Sequence, residues 1–238
     1  KIMGGMNIAE HKVPQDGHAM FSVRGHSLDL RIASMPTVYG EKIVLRLLDK
    51  SAQVLDKSVL GLEGRDLDNY NALLKNTSGV VLLVGPTGSG KSTTMSNMLR
   101  DLSSDALNIV TLEDPVEYHL PGVNQCQINE KTGMTFASGL RAILRQDPDI
   151  IAVGEMRGPE ANAAQEAARV GVAVLTTIHS SSSEGTYRRM VSLCKRAVDT
   201  PDDTLMGYVT EAYPIVVYCR QLENKERRIT NISECEIL

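Results

Sequence analysis

Between positions 85 and 93 the chain reads Gly-Pro-Thr-Gly-Ser-Gly-Lys-Ser-Thr, a spacing that fits G-x-x-x-x-G-K-[ST]. Gly85, Gly88 and Gly90 permit backbone angles closed to residues with side chains, so amide N–H groups can converge on phosphate oxygens. Pro86, Thr87 and Ser89 complete the turn. A helix starting near Lys91 and running through Thr93 would add the positive end of its dipole. Lys91 supplies a mobile cation for terminal phosphates, and Ser92 a hydroxyl for magnesium. Such a loop holds a phosphate chain, and chemistry on that chain needs further groups.

Carboxylates are the first requirement. The run "DIIAVGEMR" ends at Glu155, where a carboxylate can hold a metal-bound water or orient an attacking one. Gly154 stands where such a strand often carries Asp, so Glu155 takes both duties or shares them. A second acidic group, "EDPVE", contributes Glu113, Asp114 and Glu117. His179 ends "TTIH"; it is either a hydrogen-bonded structural residue or a sensor of the terminal phosphate. Arg141 and Arg145, four apart, are expected on one helix face. They are solvated there, or they reach phosphate or an acidic partner across a subunit boundary.

These groups need a scaffold that brings them to one edge. "GVVLLVG" at 79, "NIVTLED" at 108, "DIIAVGE" at 149 and "VAVLTTIH" at 172 are continuous apolar runs. They predict strands covered on both faces, hence a parallel sheet between helices. Met95, Met98, Leu99 and Leu102 fall at helical spacing behind the glycine loop, and Phe136, Leu140, Ile143 and Leu144 repeat the pattern after Thr135. Pro159 and Gly171 bracket an Ala-rich helix. The C-terminal segment predicts a hairpin turning near Asn224-Lys225.

Before the loop the period is two. Leu28, Leu30 and Ile32 point one way and Asp29 and Arg31 the other, while Ile43, Leu45 and Leu47 alternate with Lys42, Val44 and Arg46. Turns are expected at Gly25-His26 and Tyr39-Gly40. This predicts a small antiparallel sheet over residues 1–49, a linker over 50–63, and a larger α/β domain with C-terminal helices and hairpin over 64–238.

The 238 residues, 42% hydrophobic, suffice for one sizeable core plus a small companion. A net charge of −4 offers no basic field for a polyanion, so no nucleic acid is expected as a partner. Apolar runs such as Val80 to Val84 fall far short of the roughly 20 residues that span a bilayer, so no direct membrane insertion is expected. Cys126, Cys194, Cys219 and Cys235 form no C-x-x-C pair, which favours reduced thiols and a cytoplasmic setting. The chain begins at Lys1, not Met, and its natural start is expected upstream.

In combination these segments resemble the type II/type IV secretion and pilus motor ATPases, whose four boxes occur in order. They are the Walker A loop "GPTGSGKST", the Asp box "TLEDPVEY", the Walker B region "LRQDPDIIAVGEMR" and the His box "TTIHS". The N-terminal "KVPQDGHAMFSVRGHSLDLRIASMPTVYGEKIVLRLLD" resembles the second half of that family's PAS-like domain. The likeness runs from Lys1 to about Arg189. It implies an α/β, RecA-like P-loop NTPase domain with a mostly parallel sheet, preceded by part of a small PAS-like antiparallel α+β domain. It also implies a homo-hexameric ring that hydrolyses ATP with Mg2+, docked through an inner-membrane platform protein at the cytoplasmic face.

By the same resemblance Lys91 and Ser92 bind phosphate and magnesium, Glu155 is the Walker B glutamate and shares the metal, and Glu117 is a candidate for activating water with Glu113 nearby. Arg31 and Arg46 match arginines that the family's N-terminal domain lays on the phosphates, and Arg141 and Arg145 match a basic pair before the Walker B strand. The chain departs from the family at Gly171-Val172, where Gly-His is usual, at His18, where Arg is usual, and at "GPEA" after "GEMR". It has no tetracysteine zinc subdomain, and its tail is closer to tight-adherence or conjugation members, so secretion, extension, retraction and conjugation all stay open. The main alternative is a nucleotide-gated binding module with little turnover. A GTPase is disfavoured because no [NT]-K-x-D motif occurs.

Overall fold

The computed structural model describes residues 1–23, 26–49, 57–75, 81–180 and 182–235. The expected turn residue Gly25, positions 50–56 of the expected linker, the Gly79-Val80 start of the first apolar run, Ser181 and positions 236–238 lie outside the described residues. Two compact units result, one of Lys1–Gln53 with Glu117–His119, the other of Val54–Val116 with Leu120–Leu238.

In the smaller unit β1 (Gln15–Val23), β2 (His26–Thr37) and β3 (Gly40–Asp49) form an antiparallel sheet in that order. The period-two pattern is realised by the register. Leu30 faces Leu47 and Ile32 faces Leu45, while Arg31 faces both His18 and Arg46. Leu30 and Ile32 pack with Met6, Ala19 and Phe21 on one side. The β2–β3 turn falls at Val38 and Tyr39, and the Thr37 hydroxyl donates to the Gly40 carbonyl across it at 2.8 Å.

The larger unit follows the chain as α1 (Gly64–Lys75), β4 (Val81–Val84), α2 (Lys91–Leu102), β5 (Ile109–Glu113), β6 (Asn124–Gln127), α3 (Phe136–Ile143) and β7 (Ile150–Val153). It continues as α4 (Glu160–Arg169), β8 (Ala173–Ile178), α5 (Ser183–Cys194), α6 (Asp202–Ala212), β9 (Ile215–Gln221) and β10 (Arg227–Glu234). The seven strands order as β10-β9-β4-β8-β7-β5-β6. All neighbours are parallel except the β9–β10 hairpin. The hairpin thus extends the central sheet beside β4, the strand that leads into the glycine loop.

Every residue of β4, β5, β7 and β8 is buried, as continuous apolar runs require when both faces are covered. Leu82, Val84, Ile151 and Val153 serve the core on one face of the sheet, and Val81, Leu83, Ile150 and Ala152 serve the other. A fully buried leucine such as Leu82 or Leu83 contributes roughly 2 kcal/mol by leaving water. Met95, Met98 and Leu99 of α2 lie in that second layer. Thr135 caps α3 by accepting from the Ser138 N–H, with the reciprocal bond also formed, and Leu140 and Ile143 carry its buried stripe. No helix of the described residues is long and apolar enough to cross a membrane.

Candidate functional site

Because β4, β8 and β7 run parallel and in register, the residues just beyond them emerge at one sheet edge. Those residues are the glycine loop after Val84, His179 after Ile178, and Glu155 two positions past Val153. The loop leaves β4 through Gly85, whose φ is 150° and where a Cβ would stand 2.1 Å from the Cys219 carbonyl oxygen of β9. No residue but glycine fits so close to that backbone. Pro86, Thr87 and Gly88 are exposed, Ser89 is buried, and α2 starts at Lys91. Ser92 is exposed at the first turn and Thr93 is half-buried.

Lys91 is buried, and its ammonium turns back into the loop. It donates to the carbonyls of Gly85 and Pro86, each at 2.9 Å, and lies 3.3 Å from Nδ1 of His179. The other ring nitrogen, Nε2, stands 3.3 Å from Oε1 of Glu155. A charged lysine beside Nδ1 and a carboxylate beside Nε2 are both satisfied by the neutral imidazole carrying its proton on Nε2. Burial pushes the Lys91 ammonium below its usual range, an effect that Cys219 and Glu155 oppose.

The opposite carboxylate oxygen of Glu155 accepts from Arg157 at 2.8 Å, and the same guanidinium lies 3.6 Å from Asp114. Contact with Glu155 favours the charged form of Arg157. Its backbone is fixed as well. The Glu160 carboxylate accepts from the N–H groups of Arg157 and Gly158 at 2.7 and 2.6 Å, and Arg196 donates to the Arg157 carbonyl at 2.8 Å. The peptides on either side of Glu155 are tied to β8: the Thr177 hydroxyl donates to the Gly154 carbonyl and the Met156 N–H to the Thr177 carbonyl. A single chain of contacts therefore runs Lys91, His179, Glu155, Arg157, Asp114.

The other expected residues make contacts of their own. Glu113 is buried next to Gly154, and its Oε1 accepts from the Thr111 hydroxyl at 2.6 Å and from Gln125 at 3.1 Å. Arg141 and Arg145 do not share one helix face. The helix α3 ends at Ile143 and tightens into i to i+3 bonds at Arg145 and Gln146, ahead of Asp147 with φ 49° and Pro148. Arg145 bonds instead to the Arg141 carbonyl at 2.8 Å, satisfying the end of the helix.

In the smaller unit His18, Arg31 and Arg46 lie in a row across one face of the sheet, with Nε2 of His18 2.6 Å from Asp29. The Glu117 carboxyl is raised above its ordinary 4.5 by burial, against the pull of Arg31 and Arg46. An acid with a higher pKa folded than unfolded makes the fold less stable as pH climbs from 4.5 through the raised value, and flat beyond it. Glu117→Gln should abolish that decline. Thermal midpoints of both chains between pH 4 and 7 test this, and identical profiles would show that the carboxyl is not perturbed.

The family described as type II/IV secretion system protein matches residues 1–222. The chain belongs to this family. The type II secretion system ATPase E of Vibrio cholerae is 46% identical over 191 residues, which are 80% of this chain and 38% of the relative. The chain therefore spans well under half the length of that relative. Among solved structures, the pilus retraction motor PilT with bound ADP superposes with a TM-score of 0.73 at 28% identity, over 93% of this chain and 64% of the other. The Legionella pneumophila ATPase DotB does so at 0.71 and 26%, over 91% and 61%. These neighbours establish the α/β, RecA-like architecture with its mostly parallel sheet.

Arg157 is the member of the contact chain that sequence reasoning did not single out, whereas Asp114 was expected as part of the acidic group "EDPVE". Its signal was the basic residue two positions after Glu155 in "GEMR".

Proposed function

We propose that this chain is the ATP-hydrolysing part of a ring-forming motor that powers type II/type IV secretion or pilus assembly and retraction. The observation that carries the reading is the Lys91–His179–Glu155 constellation at the mouth of a glycine loop, in a chain similar to a secretion ATPase and to a pilus motor. The loop amides and Lys91 take the triphosphate, and Glu155 orients the attacking water. His179 reports whether Lys91 has left the loop carbonyls for phosphate. Arg31, Arg46, Arg141, Arg145, Glu113 and Glu117 keep the roles that the family resemblance implies.

Among the described residues no three His, Cys, Asp or Glu side chains cluster into a metal site of their own. The exposed Ser92 hydroxyl and the partly exposed Glu155 carboxylate are hard oxygen donors that suit Mg2+, with nucleotide oxygens and water completing the shell. When bound, that ion neutralises charge on the transferred phosphate. A homo-hexamer docked on an inner-membrane platform protein at the cytoplasmic face completes the proposal.

A second reading, a nucleotide-gated assembly module with little turnover, is favoured by one observation. Both oxygens of Glu155 are engaged and Lys91 is folded onto its own loop. Release of phosphate from ATP with magnesium, measured beside binding of a labelled ATP analogue, separates the two. Binding with turnover is expected. Binding alone selects the second reading, and neither activity defeats both.

A further inference from the structure

The β9–β10 hairpin meets the phosphate loop through one side chain. Arg227, the first residue of β10, donates from Nε to the Gly88 carbonyl at 2.8 Å, across 139 positions of sequence. The approach is close: a Cβ on Gly90 would come within 3.3 Å of the Cβ of Arg227. Behind this contact lies a pocket of about 190 Å3, lined by Ser89, Gly90, Thr93 and Thr94 on the loop side and by Arg227 and Ile229 on the hairpin side. The hairpin is a firm platform. Strand β9 pairs with β4, Val84 facing Tyr218, and the turn is closed by the Leu222 N–H to the Glu226 carbonyl and the Lys225 N–H to the Leu222 carbonyl.

A trans peptide is planar, so its C=O and the next N–H point to opposite sides. Holding the Gly88 carbonyl outward against Arg227 therefore turns the Ser89 N–H inward. There it makes only a long 3.3 Å bond to the Pro86 carbonyl, beside the ammonium of Lys91. We infer that Arg227 is a positioning residue that sets the Gly88–Ser89 peptide so that its N–H faces the phosphate. The inference rests on the nucleotide-binding reading proposed above and adds a residue to it.

The donor is Nε, and this decides the test. Glutamine carries its amide nitrogen at the same distance along the side chain as arginine carries Nε, so Arg227→Gln keeps a neutral donor in place. Lysine has a carbon there, so Arg227→Lys keeps charge and loses that donor. In the full chain, Arg227→Ala is expected to weaken labelled ADP and raise the KM for ATP by about fivefold, the worth of one hydrogen bond. With ground and transition states affected alike, kcat stays within about twofold. Arg227→Gln should restore affinity, and Arg227→Lys should not.

Hydrogen exchange over residues 86–92 without nucleotide gives a second readout, and it should rise in Arg227→Ala and return in Arg227→Gln. Rescue by lysine but not glutamine would replace positioning with direct charge recognition and overturn the inference. Unchanged affinity and exchange in Arg227→Ala would do the same. If wild type binds no ADP yet exchange responds as described, the nucleotide reading fails and the positioning role of Arg227 stands.

Discussion

Lys91→Ala is expected to reduce ATP turnover at least about 100-fold and nucleotide affinity about tenfold or more. A cation that follows the terminal phosphates contributes both in binding and in the transition state. Stability should respond far less. The ammonium is buried against two carbonyls and an imidazole, and burial of a cation carries a desolvation cost that those contacts offset. Lys91→Met, which keeps the apolar stem, should therefore hold its thermal midpoint within about 5 °C of wild type. Phosphate release from Lys91→Ala at the wild-type rate would remove the basis of the proposed activity.

Glu155→Gln separates chemistry from binding. The amide keeps the length of the side chain but can accept from only one of His179 and Arg157, and it removes the charge to which the proposed mechanism assigns the orienting of water and the facing of the metal. Turnover should fall by about 100-fold or more, and the affinity for an ATP analogue should stay within about threefold. Single-turnover phosphate release and equilibrium binding, run on the same preparation, give the two numbers. Equal losses in both would reassign Glu155 to binding the ground state.

What the sequence reveals of this arrangement follows the range of the interactions. The glycine loop is legible because its spacing, its strand and its helix lie within some twenty consecutive positions. The four buried strands are legible because covering both faces leaves unbroken apolar runs. Strand β6 was not expected: "NQCQ" is short, polar and only partly buried, and it is a strand because β5 offers it a free edge. The expected helix face with Arg141 and Arg145 failed because spacing says nothing of where Asp147-Pro148 will stop the turn. The link from Arg157 to Glu155 and Asp114, and the bond of Arg227 to Gly88, depend on the fold to bring distant segments together. The row of His18, Arg31 and Arg46 was half visible, since alternation gives the face while the pairing of strands gives the neighbours.

The strand order has one last consequence. With β8 inserted between β4 and β7, the glycine loop and Glu155 share no backbone hydrogen bonds and stand two strand spacings apart, roughly 10 Å. The sheet thus works as a ruler. Its two graduations set the gap that the proposed terminal phosphate and its water have to fit, and the imidazole at the middle mark touches Lys91 on one side and Glu155 on the other.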